Sequence, residues 1–208
     1  MNRRRSLPFL AVMFALSGCA GLIHEVAWAR TLGQSLGNSL QALTIVLVAF
    51  LGGLGLGSAA GARLAGRCRN PLAAYAGVEG LLALFGIASP AVAALVPRFL
   101  EAFGPGCEST LSLQALRLGV AIVALAPPTL LMGASFPILV RQAVGSGAAP
   151  GNALAVLYGA NTLGGAAGAL VGSFGLLPFL GTRGSFVAAG LLNATAAGLA
   201  CWRKGTTH

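Results

Sequence analysis

The chain has no aspartate, and its four acidic residues are Glu25, Glu79, Glu101 and Glu108. From four acids and two histidines, one of them terminal, no paired carboxylates, Ser–His–Asp set or metal cluster can be assembled. An independent enzyme is therefore the least favoured reading, and neither metal nor cofactor is expected. Charged residues of both signs make up only 8% of the chain, against about 25% in a typical soluble domain. So few charges cannot cover a water-facing surface, which excludes a soluble globular protein. Cys19, Cys68, Cys107 and Cys201 form no C-x-x-C pair, so the spacing suggests neither a zinc site nor a disulfide framework. Thirteen basic residues give a net charge of +9. They sit between apolar runs rather than interleaved with aromatics, so nucleic acid is not the expected partner.

What the chain does have is apolar length. Six apolar runs, at 7–29, 39–62, 72–97, 114–140, 153–177 and 184–202, each approach the roughly 20 residues that span a bilayer. The breaks between them carry turn chemistry: "GQSLGNS", "GRCRNP", "EAFGPGCEST", "GSGAAPGN" and "PFLGTRG". The expectation is an all-α membrane protein, a single integral domain over 1–208 with about six transmembrane helices and the lipid bilayer as solvent. Orientation follows the basic residues. With the N-terminus inside, Arg3, Arg4, Arg5, Arg63, Arg67, Arg69, Arg141, Arg203 and Lys204 are cytoplasmic, against Arg30, Arg98, Arg117 and Arg183 outside. Nine against four places both termini in the cytoplasm of a bacterial-type inner membrane.

"LSGC" at residues 16–19 is the motif at which lipoprotein precursors are cut, and "MNRRRSLPFLAVMFALSGC" has the charged start and apolar middle of a secretory signal. The apolar run continues past Cys19 through "AGLI" and "VAWA", so a retained first helix is expected.

Small residues recur at every fourth position in two helices: Gly53, Gly57 and Gly61 in the second, Gly164, Gly168 and Gly172 in the fifth. Such flat faces let helix backbones approach in lipid. The offset between the sets is 164 − 53 = 111 residues, and at that offset Arg30 falls on Arg141. An odd number of helices per copy inverts the second, so the expected architecture is two inverted three-helix repeats, as in half of a major facilitator bundle. Six helices make half of such a unit, hence an expected homodimer. "GGLGLGSAAG" lacks the preceding strand and following acid of a dinucleotide loop and is read as a packing face.

Polar residues inside the apolar runs are the candidate site. Glu25 lies near the outer end of the first run beside His24, with Trp28 three residues on, near its face and at interface depth; Arg30 and Arg117 are candidate partners. Glu79 lies about 12 Å into the third run, with no partner evident nearby in sequence. Asn161 is mid-helix in the fifth. Intramembrane acids mark ion or proton sites by default, while a structural Glu–Arg tie and interhelical hydrogen bonding are the bland alternatives. Pro127, Pro128 and Pro137 mark the fourth run as the expected broken helix.

"SGCAGLIHEVAWARTLGQSLGNSLQA", "AFLGGLGLGS", "PPTLLMGASFPILVR" and "LYGANTLGGAAGALVGSFGLLPFLGTRGS" together resemble the membrane domain of spermidine synthase-like proteins, the fused major facilitator and spermidine synthase family. The resemblance implies facilitator-like helices and, usually, a following aminopropyltransferase-like domain. No such domain is expected after "CWRKGTTH", so no catalytic residue carries over. Gly66 stands where related loops often carry an acid. The expected function is a transporter-like module for a small cationic or proton-coupled solute, polyamine-type by resemblance. The alternatives are a membrane anchor for a separately encoded aminopropyltransferase, or a structural remnant. Intact-mass measurement of the purified chain should show residues 1–18 present; a mature product starting at lipidated Cys19 would leave only a fragment of the first helix and overturn both the orientation and the six-helix count.

Overall fold

The computed structural model describes residues 6–37 and 39–205. Arg3, Arg4 and Arg5, used above for orientation, lie outside the described residues, as does the Lys204 side chain. The described chain is all-helical: α1 Ser6–Leu36, α2 Leu40–Arg67, α3 Pro71–Phe103, α4 Thr110–Gly145, α5 Pro150–Leu170 and α6 Leu177–Gly205. A 3₁₀ turn, Gly104–Gly106, follows α3, and a π-helical turn, Val171–Leu176, joins α5 to α6 without interruption. Five continuous helical runs, the last covering Pro150–Arg203, are long and apolar enough to cross a membrane.

The helices outrun their apolar segments. α1 extends to Leu36, where Gly37 at φ 100° accepts the backbone reversal that a side chain would resist. Its N–H bonds the Gly33 carbonyl at 3.0 Å. Ser39, Asn70 and Ser109 then cap α2, α3 and α4 with side-chain oxygens that accept first-turn N–H groups. Hydropathy measures only the part of a helix that meets lipid. Backbone hydrogen bonding carries these helices beyond it until a cap stops them.

One expectation about breaks needs correction. Pro127, Pro128 and Pro137 do not break α4, which stays helical from Thr110 to Gly145. The prolines free the Val123, Ala124 and Gly133 carbonyls, which is tolerated where neighbours pack against the turn, and here α2 does so, with Gly53 against Thr129 and Leu54 against Gly133. The irregular backbone lies instead in the π turn and at Gly181, whose φ 65° and ψ −173° reverse the chain inside "PFLGTRG". The Ser185 hydroxyl donates to the Gly181 carbonyl at 2.8 Å and holds the corner.

Contact order gives the directions. Gly164, Gly168 and Gly172 face Ala15, Cys19 and Ile23 in turn, so α5 runs parallel to α1. Gly53, Gly57 and Gly61 face Thr129, Leu130 and Ala134, so α2 runs parallel to α4. α6 is antiparallel to α1, since Phe186 lies by His24 and Trp202 by Phe9. α5 and α6 are thus two arms of one bent run. The main interfaces are α1 with α5 and α6, α2 with α4, and α3 with α6 and α4.

α1 is the spine. It supplies Leu10, Met13 and Phe14 to one end of the core, Ala20 and Ile23 to the middle, and Trp28, Leu32 and Leu36 to the other end. The periphery is apolar instead of polar, with Leu51, Leu56, Leu163, Phe174 and Phe179 exposed. An apolar surface of that kind suits lipid and would drive aggregation in water.

The glycine faces work within the chain. A Cβ at Gly57 would strike the Leu130 backbone, and one at Gly168 the Cys19 backbone, whereas Gly52 and Gly55 on α2 look into open space. Gly57→Leu or Gly168→Leu should therefore cost at least about 1–3 kcal/mol, the usual range for overpacking. Gly52→Leu should stay within about 0.5 kcal/mol. Thermal unfolding in mild detergent compares them, and equal melting temperatures across the set would contradict the packing.

Candidate functional site

Three helices meet on a polar seam. α1 carries Ser17, α3 carries Tyr75 and Glu79, and α6 carries Asn193; Glu79 and Tyr75 are wholly inaccessible. The Ser17 hydroxyl donates to Glu79 Oε1 at 2.7 Å, and Asn193 Nδ2 donates to Oε2 at 2.9 Å. The Tyr75 hydroxyl, one turn before Glu79 on the same face, stands close to the same carboxyl and donates to the Met13 carbonyl at 3.3 Å. Each carboxyl oxygen thus has a donor from a different helix. Burying a carboxylate without partners is expensive, so these donors are what permits an acid here. None of them is a cation.

The local sequence explains the placement. Ser17 and His24 are seven residues apart on α1 and Trp28 four beyond, so all three share one helical face. On α3, Tyr75, Glu79, Leu82 and Gly86 do the same. α6 meets them with Phe186, Ala189, Gly190 and Asn193, and the Gly86–Gly190 contact brings α3 and α6 together beside the His24 ring.

Farther along the seam, His24 and Trp28 are both 1% exposed. Their rings pack on Phe186 with centroids 6.1 and 5.2 Å away, and Trp28 also lies 6.3 Å from Phe85. Trp28 is therefore a core residue, not an interface anchor, and it shares the face of His24 instead of Glu25. Four residues advance a helix to within roughly 40° of alignment and three leave roughly 60°, and α1 turns its 24/28 face inward. Both ring nitrogens of His24, Trp28 Nε1 and Asn193 Oδ1 are buried without a hydrogen-bond partner among the described residues. Native structures leave few such groups unpaired, and those that remain tend to sit where water, an ion or function accounts for them.

The other candidates are dispersed. Glu25 is half-buried and Arg30 exposed, while Arg117 is half-buried on α4. Neither arginine pairs with Glu25 among the described residues. Asn161, half-buried on α5, packs its backbone and side-chain oxygens against Gly18 of α1. No three His, Cys, Asp or Glu side chains converge among the described residues, and all four cysteines are free.

Glu79 had no evident partner in sequence because its partners are 62 and 114 residues away. Ser17 and Asn193 are common helix residues, and only the seven-residue spacing from Ser17 to His24 marked α1's polar face. Tyr75, four residues before Glu79, was the one local sign of a shared surface.

These features define a membrane-capable helical bundle built around a buried, hydrogen-bonded carboxyl. No family model matches the chain, and no solved structure does either. By sequence, the chain is related to proteins named polyamine aminopropyltransferase. It is 31% identical to polyamine aminopropyltransferase 2 of Streptomyces coelicolor over 191 residues, 89% of this chain and 32% of the relative. It is 32% identical to the polyamine aminopropyltransferase of Mycobacterium tuberculosis over 200 residues, 91% of this chain and 34% of the relative. Identity to that of Corynebacterium efficiens is 27% over 192 residues, 90% of this chain and 34% of the relative. The chain thus spans about a third of the length of the curated relatives it matches.

If Asn193 satisfies Glu79, the two should be energetically coupled. Asn193→Leu alone should cost about 1–3 kcal/mol, as for a buried polar group left short of a partner. With Glu79→Leu added, the pair should cost less than the sum of the single changes, by about 1 kcal/mol. Detergent unfolding of the four proteins measures this, and strict additivity would sever the link.

Proposed function

We propose that this chain is a transporter-like membrane module for a small cationic or proton-coupled solute, with Glu79 as the group that exchanges counter-charge. One observation carries the reading: a fully buried carboxyl held by neutral donors from two other helices, with no cation paired to it among the described residues. Such a group can take a proton or an amine cation without first breaking a salt bridge. The unpaired atoms of His24, Trp28 and Asn193 extend the polar seam by roughly 16 Å along α1 from Ser17 to Trp28. They supply donors and acceptors for a polar solute or for water. Glu25, Arg30, Arg117 and Asn161 are secondary contacts in this scheme.

The helix pairing supports an inverted-repeat architecture. Exchanging α1 with α4, α2 with α5 and α3 with α6 turns the α1–α5 interface into α4–α2, and α1–α6 into α4–α3, all of them principal interfaces. The α3–α6 interface maps onto itself. Such a pairing pattern is what two inverted three-helix units, half of a major facilitator-like bundle, would give. The second half would come from another copy, in an inner membrane with both termini cytoplasmic. The exposed apolar faces of α2 and α5, including Leu51, Leu56 and Leu163, are available for such a homodimer.

A second reading rests on the relatives' names and on the third of their length that this chain covers. Here the module anchors, or delivers polyamine to, an aminopropyltransferase. Flux separates the two. In proteoliposomes with the full chain, labelled spermidine or putrescine uptake under an imposed pH gradient is expected. Glu79→Gln, which keeps the shape and most hydrogen bonds, should reduce it at least tenfold while the melting temperature stays close to wild type. Absence of flux in the wild type, with co-purification of an aminopropyltransferase, would replace the transport reading by the anchor.

A further inference from the structure

At the end of the bundle where α2 and α4 finish and α3 and α5 begin, an open groove of about 910 Å³ lies between the helix ends. Arg69 and Arg141 line it, with Ser58, Gln142 and Ser146. Both arginines are exposed, and neither has a hydrogen-bond or ion-pair partner among the described residues. A guanidinium is always charged and presents a planar fork of donors. The nearest helix ends do not use them: the Ser146 N–H already bonds carbonyls of the last turn of α4, and the Cys68 N–H bonds the Ala65 carbonyl.

No carboxylate lines the groove, and the positions of all four acids explain why. Glu101 and Glu108 flank the opposite end of the bundle, between α3 and α4. Glu79 is sequestered by Ser17 and Asn193. Glu25 lies 19 residues along α1, which starts at the groove end. Among the described residues, therefore, no carboxylate faces either guanidinium, and the groove is open to an external anion.

We propose that this groove is a phosphate-binding site, with Arg69 and Arg141 clamping the phosphate oxygens. The chemistry selects the ligand. Arginine forks match tetrahedral oxyanions bidentately, and a groove at the ends of membrane-length helices lies at headgroup depth, where basic pockets between helices take anionic headgroups. Below the arginines the walls are apolar, with Phe136, Pro137, Val140 and Leu154, which suits the glycerol and upper acyl carbons of a phospholipid. A lipid headgroup and a soluble phosphate share this recognition. The site is independent of Glu79 and of the transport reading.

The test uses the purified full chain in neutral detergent. Inorganic phosphate is titrated against chloride at matched ionic strength, and separately phosphatidylglycerol against phosphatidylcholine in mixed micelles. The readouts are melting temperature and, for lipid, the number of molecules retained in native mass spectra. Stabilisation by phosphatidylglycerol alone assigns a headgroup site, and stabilisation by inorganic phosphate, with or without the lipid, assigns a site for the free anion. In either case R69Q/R141Q should weaken binding at least tenfold, and R98Q, at the opposite end, should leave it unchanged. Gly66 lines the same groove and its Cβ would meet nothing, so Gly66→Asp should place an internal carboxylate beside the arginines and also weaken binding. That variant serves if the double one does not fold. Stabilisation by neither ligand, or stabilisation that survives both R69Q/R141Q and Gly66→Asp, overturns the proposal.

Discussion

Helix backbones touch in this protein, and the arrangement depends on that contact. Apolar side chains gain nothing from facing each other instead of lipid tails, so a bundle in a membrane needs close van der Waals approach and interhelical hydrogen bonds. Gly164 and Gly168 let α5 lie on the backbone of α1, and Gly57, Gly61 and Gly133 do the same for α2 and α4. These two parallel pairs leave α3 and α6 to close on each other through Gly86 and Gly190.

That closure creates the polar seam. With α3 and α6 both pressed on α1, the Glu79 carboxyl has nowhere to reach water and takes its hydrogen bonds from Ser17 and Asn193. The same tightness makes the seam sensitive. Separating α6 from α3 would withdraw one donor from the carboxyl, and a change of charge on Glu79 would alter what its neighbours must offer. A buried acid held only by neutral donors is thus both a fastening and a place where protonation or cation binding can act on helix packing, which is the physical content of the proposed transport role.

The relation to polyamine aminopropyltransferases covers nearly all of this chain but about a third of each relative. The shared region is this helical bundle. In this chain it holds a buried, hydrogen-bonded carboxyl and, at one end, a groove lined by arginines. The two features differ in chemistry and in depth, one sequestered among three helices and one open at the helix ends, so they can serve different ligands.

Helical, apolar character was legible in the sequence because it depends on local composition: low charge, long apolar runs and turn residues between them. The small-residue faces were legible too, since a four-residue period marks one side of a helix whatever it meets. Their partners were not, because a glycine stripe states that something may approach and not what does. The expected break at Pro127 and Pro128 failed for the same reason. A missing N–H is a local fact, whereas whether the helix tolerates it depends on neighbours, and the actual corner fell at Gly181 where a positive φ was available. The sequence by itself determined that Glu79 and His24 lie within apolar helices. Only the tertiary structure decided that Glu79 meets Ser17 and Asn193 while Glu25 stays apart, because which faces of α1, α3 and α6 turn inward is set by backbone packing between helices more than 60 residues apart.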